Sequence, residues 1–328
     1  MKVAARLLFL APAARGFRPS DGDVASDAAG RPQQSFLEVS ASSSLALMMS
    51  NYGTATTKCE LPDGLALQPS SERTPEKMLA DKKPFTYMRW GDGEWMAAAG
   101  NQEYVDVLKS YPSVSANNYY PILGTCFLCK DNHPALFHSV DNLLKENQLQ
   151  LPFYDRFYID PLLIVRSAWS RAGAYKGSQP WTLDDQPGRA GPVVTCADVA
   201  KRAPEKSDII LVGPSHLNQL TNLFRHRDWI DGSDADSRTQ EIADKMVKAS
   251  EASERPLFFL VATGWAKLLI THKIYDRIGS KDTIIDIGSS FDPYANVMSR
   301  DYSPEARKRI CRDTPCFTTP GTCDGIGS

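Results

Sequence analysis

Residues 256–288 read PLFFLVATGWAKLLITHKIYDRIGSKDTIIDIG and carry the clearest indication of the fold. The continuous apolar run Pro256–Ala262 predicts a buried strand, which the Thr263-Gly264 pair ends. A helix is predicted over Trp265–Ile274, and a further buried strand over Thr283–Gly288. Apolar strands that alternate with helices are typical of parallel sheets covered on both faces. This stretch therefore predicts an α/β fold.

The same alternation occurs earlier in the chain. Apolar or β-prone runs predict strands over Phe85–Trp90 and Ser207–Pro214. Periodic apolar positions predict helices over Glu94–Ala99, Tyr104–Lys109, Pro134–Glu146 and Thr239–Ala252. We therefore expect a Rossmann-like, mostly parallel sheet flanked by helices.

Composition excludes several classes of protein. The chain has 328 residues, of which 23% are charged and 9% aromatic, so it has the composition of a globular protein rather than a disordered one. Its formal net charge of −2 argues against a nucleic-acid partner, because such proteins usually present a basic face. No run of about 18 apolar residues occurs, so we expect no ordinary transmembrane helix.

The composition of the chain divides it into four parts. Residues 1–16 combine a basic start with an apolar run and small residues, which predicts a signal peptide; the alternative is a frayed N-terminus. Residues 17–73 predict a low-complexity stalk or disordered segment. We expect the folded domain over 74–302 and a Cys-rich tail over 303–328. The signal indicates the secretory pathway lumen (ER or Golgi) or secretion; a plastid is less favoured because the following segment contains acidic residues.

The chain has seven cysteines, an odd number. In a secretory compartment they favour disulfides, particularly in the C-terminal tail that holds Cys311, Cys316 and Cys323. A zinc site built from Cys126, Cys129 and tail cysteines is the less favoured alternative, because the tail lacks compact cysteine pairs.

Loops that follow the predicted strands are the expected ligand sites, since ligands of parallel sheets bind at the carboxyl ends of the strands. None of these loops has the GxGxxG spacing of a dinucleotide-binding turn or the GxxxxGK[ST] of a P-loop, which argues against a nicotinamide dehydrogenase and a P-loop ATPase. The loop containing Gly264 opens a helix whose N-terminal amides could bind a phosphate.

The segment Arg89-Trp90-Gly91-Asp92-Gly93-Glu94 is the most informative of these loops. On an extended backbone, Asp92 and Glu94 would point to the same side and offer two oxygen ligands to Mg²⁺ or Mn²⁺. Gly91 and Gly93 would let a phosphate approach the backbone, and Arg89 could contact it. The alternative is a polar turn that caps a helix, with Glu94 in the first helical turn and Arg89 in a salt bridge.

Three stretches of the sequence resemble the GT-D fold glycosyltransferases. FTYMRWGDGEW (85–95) resembles the signature strand and turn of that family; the other two are DIILVGPSHLNQL (208–220) and FFLVATGWAKLLITHKIYD followed by DTIIDIGSSFDPY (258–294). The resemblance covers roughly residues 74–302. The loop Ala262–Ala266 departs from the Leu-Gly-Pro-Thr-Ala-like sequence typical of that family, which bears on the donor sugar more than on the fold.

The resemblance implies a metal-dependent transfer of a sugar from a nucleotide diphosphate sugar to a hydroxyl of a glycan or glycoprotein acceptor. It implies that Asp92 and Glu94 bind the metal, Mn²⁺ or Mg²⁺, at the donor diphosphate, and that Arg89 is the basic member of the motif.

Glycosyl transfer also needs a general base. The candidates are Asp292, ranked first because its loop follows a strand, then Asp286 and His216, and more remotely Asp155 and Asp160.

Two other functional hypotheses remain open at this point. One is a non-catalytic nucleotide- or sugar-binding module on the same scaffold. The other is a different α/β enzyme such as a methyltransferase, although the glycine-rich loop expected after its first strand is missing.

Overall fold

The computed structural model describes residues 59–68, 78–79, 81, 83–114, 118–124, 128–154, 164, 208–220, 227–300, 303–313 and 318–326. Eight strands form one sheet in the order β1-β4-β3-β2-β8-β7-β5-β6, and every neighbouring pair is parallel. The strands are β1 Leu65–Gln68, β2 Thr86–Trp90, β3 Tyr119–Leu123, β4 Leu151–Tyr154, β5 Ile209–Gly213, β6 Asp228–Asp231, β7 Phe258–Val261 and β8 Thr283–Asp286.

Six α-helices accompany the sheet in the described part of the chain: α1 Asp92–Gly100, α2 Gln102–Val114, α3 Pro134–Glu146, α4 Thr239–Glu251, α5 Ala266–Ile278 and α6 Ser303–Asp313. The expected Rossmann-like architecture is confirmed, and the sheet is parallel throughout.

Apolar side chains cover the sheet on both faces. In β7, Phe259 and Val261 join a core cluster that includes residues of helices α1 to α5, whereas Phe258 and Leu260 join the cluster on the opposite side. The second cluster contains residues of two short 3-10 turns, Ser215–Gln219 after β5 and Asp292–Ala295 after β8. Because successive side chains of a strand point to opposite faces, only a continuous apolar run can fill both clusters. This explains why β5, β7 and β8 are recognisable in the sequence.

Strands β1, β3, β4 and β6 are not among the predicted elements. They are four or five residues long, and two of them contain proline: Pro121 in β3 and Pro152 in β4. Proline lacks the amide hydrogen that a sheet uses and usually argues against a strand. The sequence signal for these strands is therefore weak, and their pairing with neighbouring strands defines them.

The structure contains regular elements outside the predicted folded domain, 74–302, on both sides of it. The segment 17–73 was expected to lie outside the fold, but β1 pairs with β4 over its whole length, from Leu65 beside Leu151 to Gln68 beside Tyr154. The tail 303–328 begins with the three-turn helix α6, and the side chain of Ile310 packs against the core. Both segments gain stability from tertiary contacts that composition does not reveal.

Two disulfides lie within the described residues. Cys59 bonds to Cys129 and joins the segment before β1 to the loop before α3. Cys311 bonds to Cys323 and confirms a disulfide in the C-terminal tail. The bond to Cys59 removes Cys129 from the zinc alternative, whereas Cys126 and Cys316 lie outside the described residues.

The predicted signal peptide, residues 1–16, also lies outside the described residues. Among the helices that the structure describes, none is both long and apolar enough to cross a bilayer.

Candidate functional site

The predicted site residues that the structure describes lie at the ends of four strands and in the segments that follow them, at one edge of the sheet. Because all strands are parallel, the carboxyl ends of β2, β5, β7 and β8 share that edge. From β2 the sheet continues on one side to β3 and β4, whereas β5, β6 and β7 lie on the other side, beyond β8. Ligands of open α/β sheets bind where the strand order reverses in this way. The junction of β2 and β8 is therefore the candidate crevice.

Four charged side chains meet at this junction. Arg89, at the end of β2, forms a two-pronged ion pair with Asp286, at the end of β8, with Nε–Oδ2 and Nη2–Oδ1 distances of 2.9 and 3.1 Å. Lys267 Nζ lies 2.9 Å from Asp286 Oδ2 and 2.6 Å from Glu94 Oε1. All four side chains are buried, with at most 12% of any of them exposed. We call Arg89, Glu94, Lys267 and Asp286 the buried charge network.

The network determines the charge state of Asp286. Burial alone would raise the pKa of this carboxyl, but the adjacent positive charges of Arg89 and Lys267 outweigh burial and lower it to about 2. The Gly288 amide also donates to Asp286 Oδ1 over 2.9 Å. With no exposed side-chain surface and both oxygens bonded, Asp286 does not fit the predicted role of a general base for a bound acceptor.

The segment after β2 forms a helix start rather than an extended turn. Helix α1 begins at Asp92, and Gly91 is its N-cap. The Gly91 amide donates to Glu94 Oε2 over 2.8 Å, so Glu94 caps the helix through one oxygen and pairs with Lys267 through the other. The alternative interpretation, a polar turn that caps a helix with Arg89 in a salt bridge, describes this geometry.

The extended backbone assumed for Asp92 and Glu94 is therefore wrong, while metal binding itself stays a prediction. In a helix, side chains two positions apart do not face each other. Asp92 is exposed, whereas Glu94 is buried with both oxygens engaged. Among the described residues, no group of three or more potential ligands is arranged to hold a metal ion. A divalent ion shared by these two carboxylates does not fit this arrangement, but Asp92 has a carboxylate available for one ligand position.

Sequence reasoning missed two residues of this region, Lys267 and Gly288. Gly288 has φ +44°, and a Cβ there would collide with Arg89 Nη2, so the loop after β8 needs a glycine to let the guanidinium pass. Lys267 lies in an apolar helical stretch, where a buried cation requires an anionic partner. The only sequence signal was a lysine in the first turn of the helix that follows β7.

Two exposed residues, Gly264 and Trp265, lie in the loop between β7 and α5, beside the buried charge network. Gly264 has φ +57° and precedes Trp265, which is 45% exposed. A Cβ on Gly93 would lie 3.6 Å from Trp265 Cε3, so the indole lies beside the start of α1. The Gly91 amide bonds to Glu94 and Gly93 lies beside Trp265, whereas Gly264 is exposed and no atom of the described residues lies within 4 Å of the position of a Cβ there.

The remaining base candidates form a separate cluster after β5 and β8. His216 Nε2 lies 2.8 Å from Asp292 Oδ1, and the Ser299 hydroxyl donates to Asp292 Oδ2. The Asp292 side chain is 9% exposed and that of His216 is 23% exposed. The structure therefore brings two of the three predicted catalytic residues into direct contact and places the third, Asp286, in the buried charge network. Asp155 and Asp160 lie outside the described residues.

Comparisons with known proteins identify no relative. No protein-family model, no curated protein and no solved structure matches the chain.

Proposed function

We propose that this protein is a glycosyltransferase that moves a sugar from a nucleotide diphosphate sugar to a hydroxyl group of a glycan or glycoprotein. One observation carries the proposal. Two of the stretches that resemble the GT-D family meet in the buried charge network at the junction of β2 and β8. The stretch 85–95 contributes Arg89 and Glu94, and the stretch 258–294 contributes Lys267 and Asp286. Residues that carry the resemblance in separate parts of the sequence therefore lie together at the crevice where ligands of this kind of fold bind.

In this proposal the network supports the site and does not bind the donor directly. Two cations and two carboxylates balance each other, and each group has a partner within 3.1 Å. Such a pairing holds the end of β2, the start of α1 and the loop after β8 in one geometry. Preorganised groups stabilise developing charge better than groups that must first reorganise.

The exposed residues beside the network are the proposed donor contacts. Asp92 is the residue that would hold Mn²⁺ or Mg²⁺, with water and the oxygens of the donor diphosphate as the other ligands. The ion, when bound, would neutralise negative charge on the leaving diphosphate. Trp265 is 45% exposed beside Gly93, and aromatic rings stack on planar bases and on the apolar faces of sugar rings.

A secretory location is part of the same proposal. The bonds Cys59–Cys129 and Cys311–Cys323 support an oxidising compartment, because disulfides rarely persist in the cytosol.

A donor panel tests the proposal. The protein is incubated with UDP- and GDP-sugars, with and without Mn²⁺ or Mg²⁺, and with glycan acceptors, and released nucleotide and glycosylated product are both measured. We expect metal-dependent release of nucleotide and transfer with one class of donor. Binding of a nucleotide sugar without turnover under any condition would instead identify a non-catalytic module, and no binding of any donor would refute the proposal.

A further inference from the structure

We propose that His216 is the catalytic residue that takes the proton from the acceptor hydroxyl, and that Asp292 is a positioning residue that orients His216. This inference rests on the proposed function and assigns its general base. It reverses the order expected from the sequence, in which Asp292 ranked first.

The contacts of Asp292 argue against its acting as the base itself. One carboxylate oxygen faces His216 Nε2 at 2.8 Å, and the other accepts the hydrogen bond of the Ser299 hydroxyl. The residue as a whole is only 6% exposed. An acceptor hydroxyl would have to displace one of these partners to reach it. A general base must instead lie within hydrogen-bond reach of the proton that it removes.

The same contact prepares His216 for that role. An ionised carboxylate only accepts hydrogen bonds, so in the neutral imidazole Nε2 carries the hydrogen and donates it to Asp292. The lone pair is then on Nδ1. Among the described residues Nδ1 has no hydrogen-bond partner, and 23% of the side chain is exposed. The pair thus consists of a buried acid that fixes the tautomer and a more exposed histidine whose Nδ1 can accept a proton.

The location of the pair fits the proposed crevice. His216 lies in the turn that follows β5, and Asp292 lies in the turn that follows β8, the neighbour of β2. The two turns are therefore at the same edge of the sheet as Asp92. Residues 289–291 connect Gly288, which lies against Arg89, to the Asp292 turn.

The chemical step balances without a further reactant. The proton of the acceptor hydroxyl moves to His216 Nδ1, and the acceptor oxygen forms a bond to the anomeric carbon of the donor. The bond between that carbon and the diphosphate oxygen breaks, and the diphosphate leaves with the bonding electrons. Because the nucleophile attacks as the leaving group departs from the opposite side, the product has the inverted anomeric configuration.

The variant His216→Gln tests this role. Glutamine keeps an amide that can donate to Asp292 but has no basic nitrogen. We expect kcat for transfer to fall by about 10²–10⁴-fold, the usual contribution of a general base, with an unchanged KM for the donor. His272→Gln is the matched control, because His272 is an exposed histidine on α5, and its kinetics should equal those of the wild type. In His216→Ala, added imidazole should restore part of the lost rate.

Nitrogen NMR of the histidine ring gives a readout that does not depend on turnover. We expect the Nε2–H tautomer of His216 in the wild type and a loss of that preference in Asp292→Ala. The Asp292→Asn variant should lower kcat without changing the KM for the donor.

The outcomes separate this inference from the proposed function. Wild-type protein that transfers sugar, together with a His216→Gln variant of near-normal kcat, would overturn the role of His216 alone. An Nδ1–H tautomer in the wild type would do the same. Wild-type protein that transfers no sugar would overturn both the proposed function and this role.

Discussion

The buried charge network and the side chains beside it differ in how their charges are satisfied. Within the first turn of α1, Glu94 is buried between the Lys267 ammonium and the Gly91 amide, whereas Asp92 is exposed and, in the described part of the chain, without an ion-pair partner. Buried charges are costly unless they are paired, so the network must be complete in the folded protein. Exposed charges carry no such requirement and are available to a ligand. Stability and ligand binding should therefore depend on different residues of one short segment.

The largest expected effect is on the folded state, from Asp286→Asn. The substitution leaves Arg89 and Lys267 buried with only Glu94 as an anionic partner, and breaking a buried ion pair in this way costs about 3–5 kcal/mol. Urea unfolding at pH 7 measures the loss. The control is Glu305→Gln, which breaks an exposed pair with Lys308 and should change the free energy of unfolding by less than about 0.5 kcal/mol. Equal effects of the two substitutions would contradict the comparison.

The two acidic residues of α1 should separate activity from stability. Asp92→Asn should lower metal-dependent turnover by roughly 10²-fold, equivalent to about 2.7 kcal/mol of transition-state stabilisation, and leave the unfolding midpoint unchanged. Glu94→Gln should lower the free energy of unfolding by about 1.5–3 kcal/mol, because Lys267 then loses a charged hydrogen-bond partner. Paired measurements of turnover and urea unfolding test both. If Asp92→Asn destabilises the fold as much as Glu94→Gln does, the assignment of separate roles is wrong.

Acid should weaken the network in a defined range of pH. The pKa of Asp286 is about 2 in the folded protein, below the value of about 3.9 for an unfolded aspartate. Its ionised form therefore stabilises the fold fully above about pH 4, and the roughly 2–3 kcal/mol involved is lost as the pH falls from 4 towards 2. The difference in unfolding free energy between wild type and Asp286→Asn should shrink over that range. A difference that stays constant from pH 7 to pH 3 would refute the network as its source.

The smallest expected effect concerns Trp265. Replacing Trp265 with alanine removes an exposed ring, so stability should change little, while donor binding should weaken by about 1–2 kcal/mol, the usual scale for loss of a stacking partner. Titration calorimetry with the nucleotide sugar and with the nucleoside diphosphate distinguishes stacking on the sugar from stacking on the base. The Trp265→Phe variant, which keeps an aromatic face, should retain most of the affinity. Equal affinity in the wild type and the alanine variant would remove Trp265 from the site.

Much of the fold could be predicted because its signals are local. The apolar runs of β5, β7 and β8 are continuous since both faces of each strand are buried, and α3 has the predicted bounds Pro134–Glu146. The edge strand β1 and the proline-containing β3 and β4 lack such a signal. They are strands because neighbouring segments pair with them, and that information is not contained in four or five residues.

The candidate site was predictable in position but not in its contacts. Arg89, Asp286 and His216 were predicted to lie at one edge of the sheet, because each is at or just after the end of a strand that a Gly-rich polar loop follows. Their placement at that edge depends only on the order of strands and loops along the chain. The spacing of Asp92 and Glu94 predicted an extended segment with both carboxylates on one metal ion. Two residues are too few to tell the start of a helix from an extended turn, so the prediction of an extended backbone was wrong. The burial of Lys267 was not predictable, because a single lysine in a helix is usually exposed.

The sequence by itself determined the alternation of apolar strands and helices, and with it a parallel sheet whose loops converge at one edge. Its local patterns are sufficient for this because burial on two faces leaves a continuous apolar run. Only the tertiary structure decided which charges meet. Lys267 and Glu94 are 173 positions apart in the chain, and Asp292 and His216 are 76 apart. Their pairing depends on how β2, β5, β7 and β8 are ordered in the sheet, and no local pattern encodes that order.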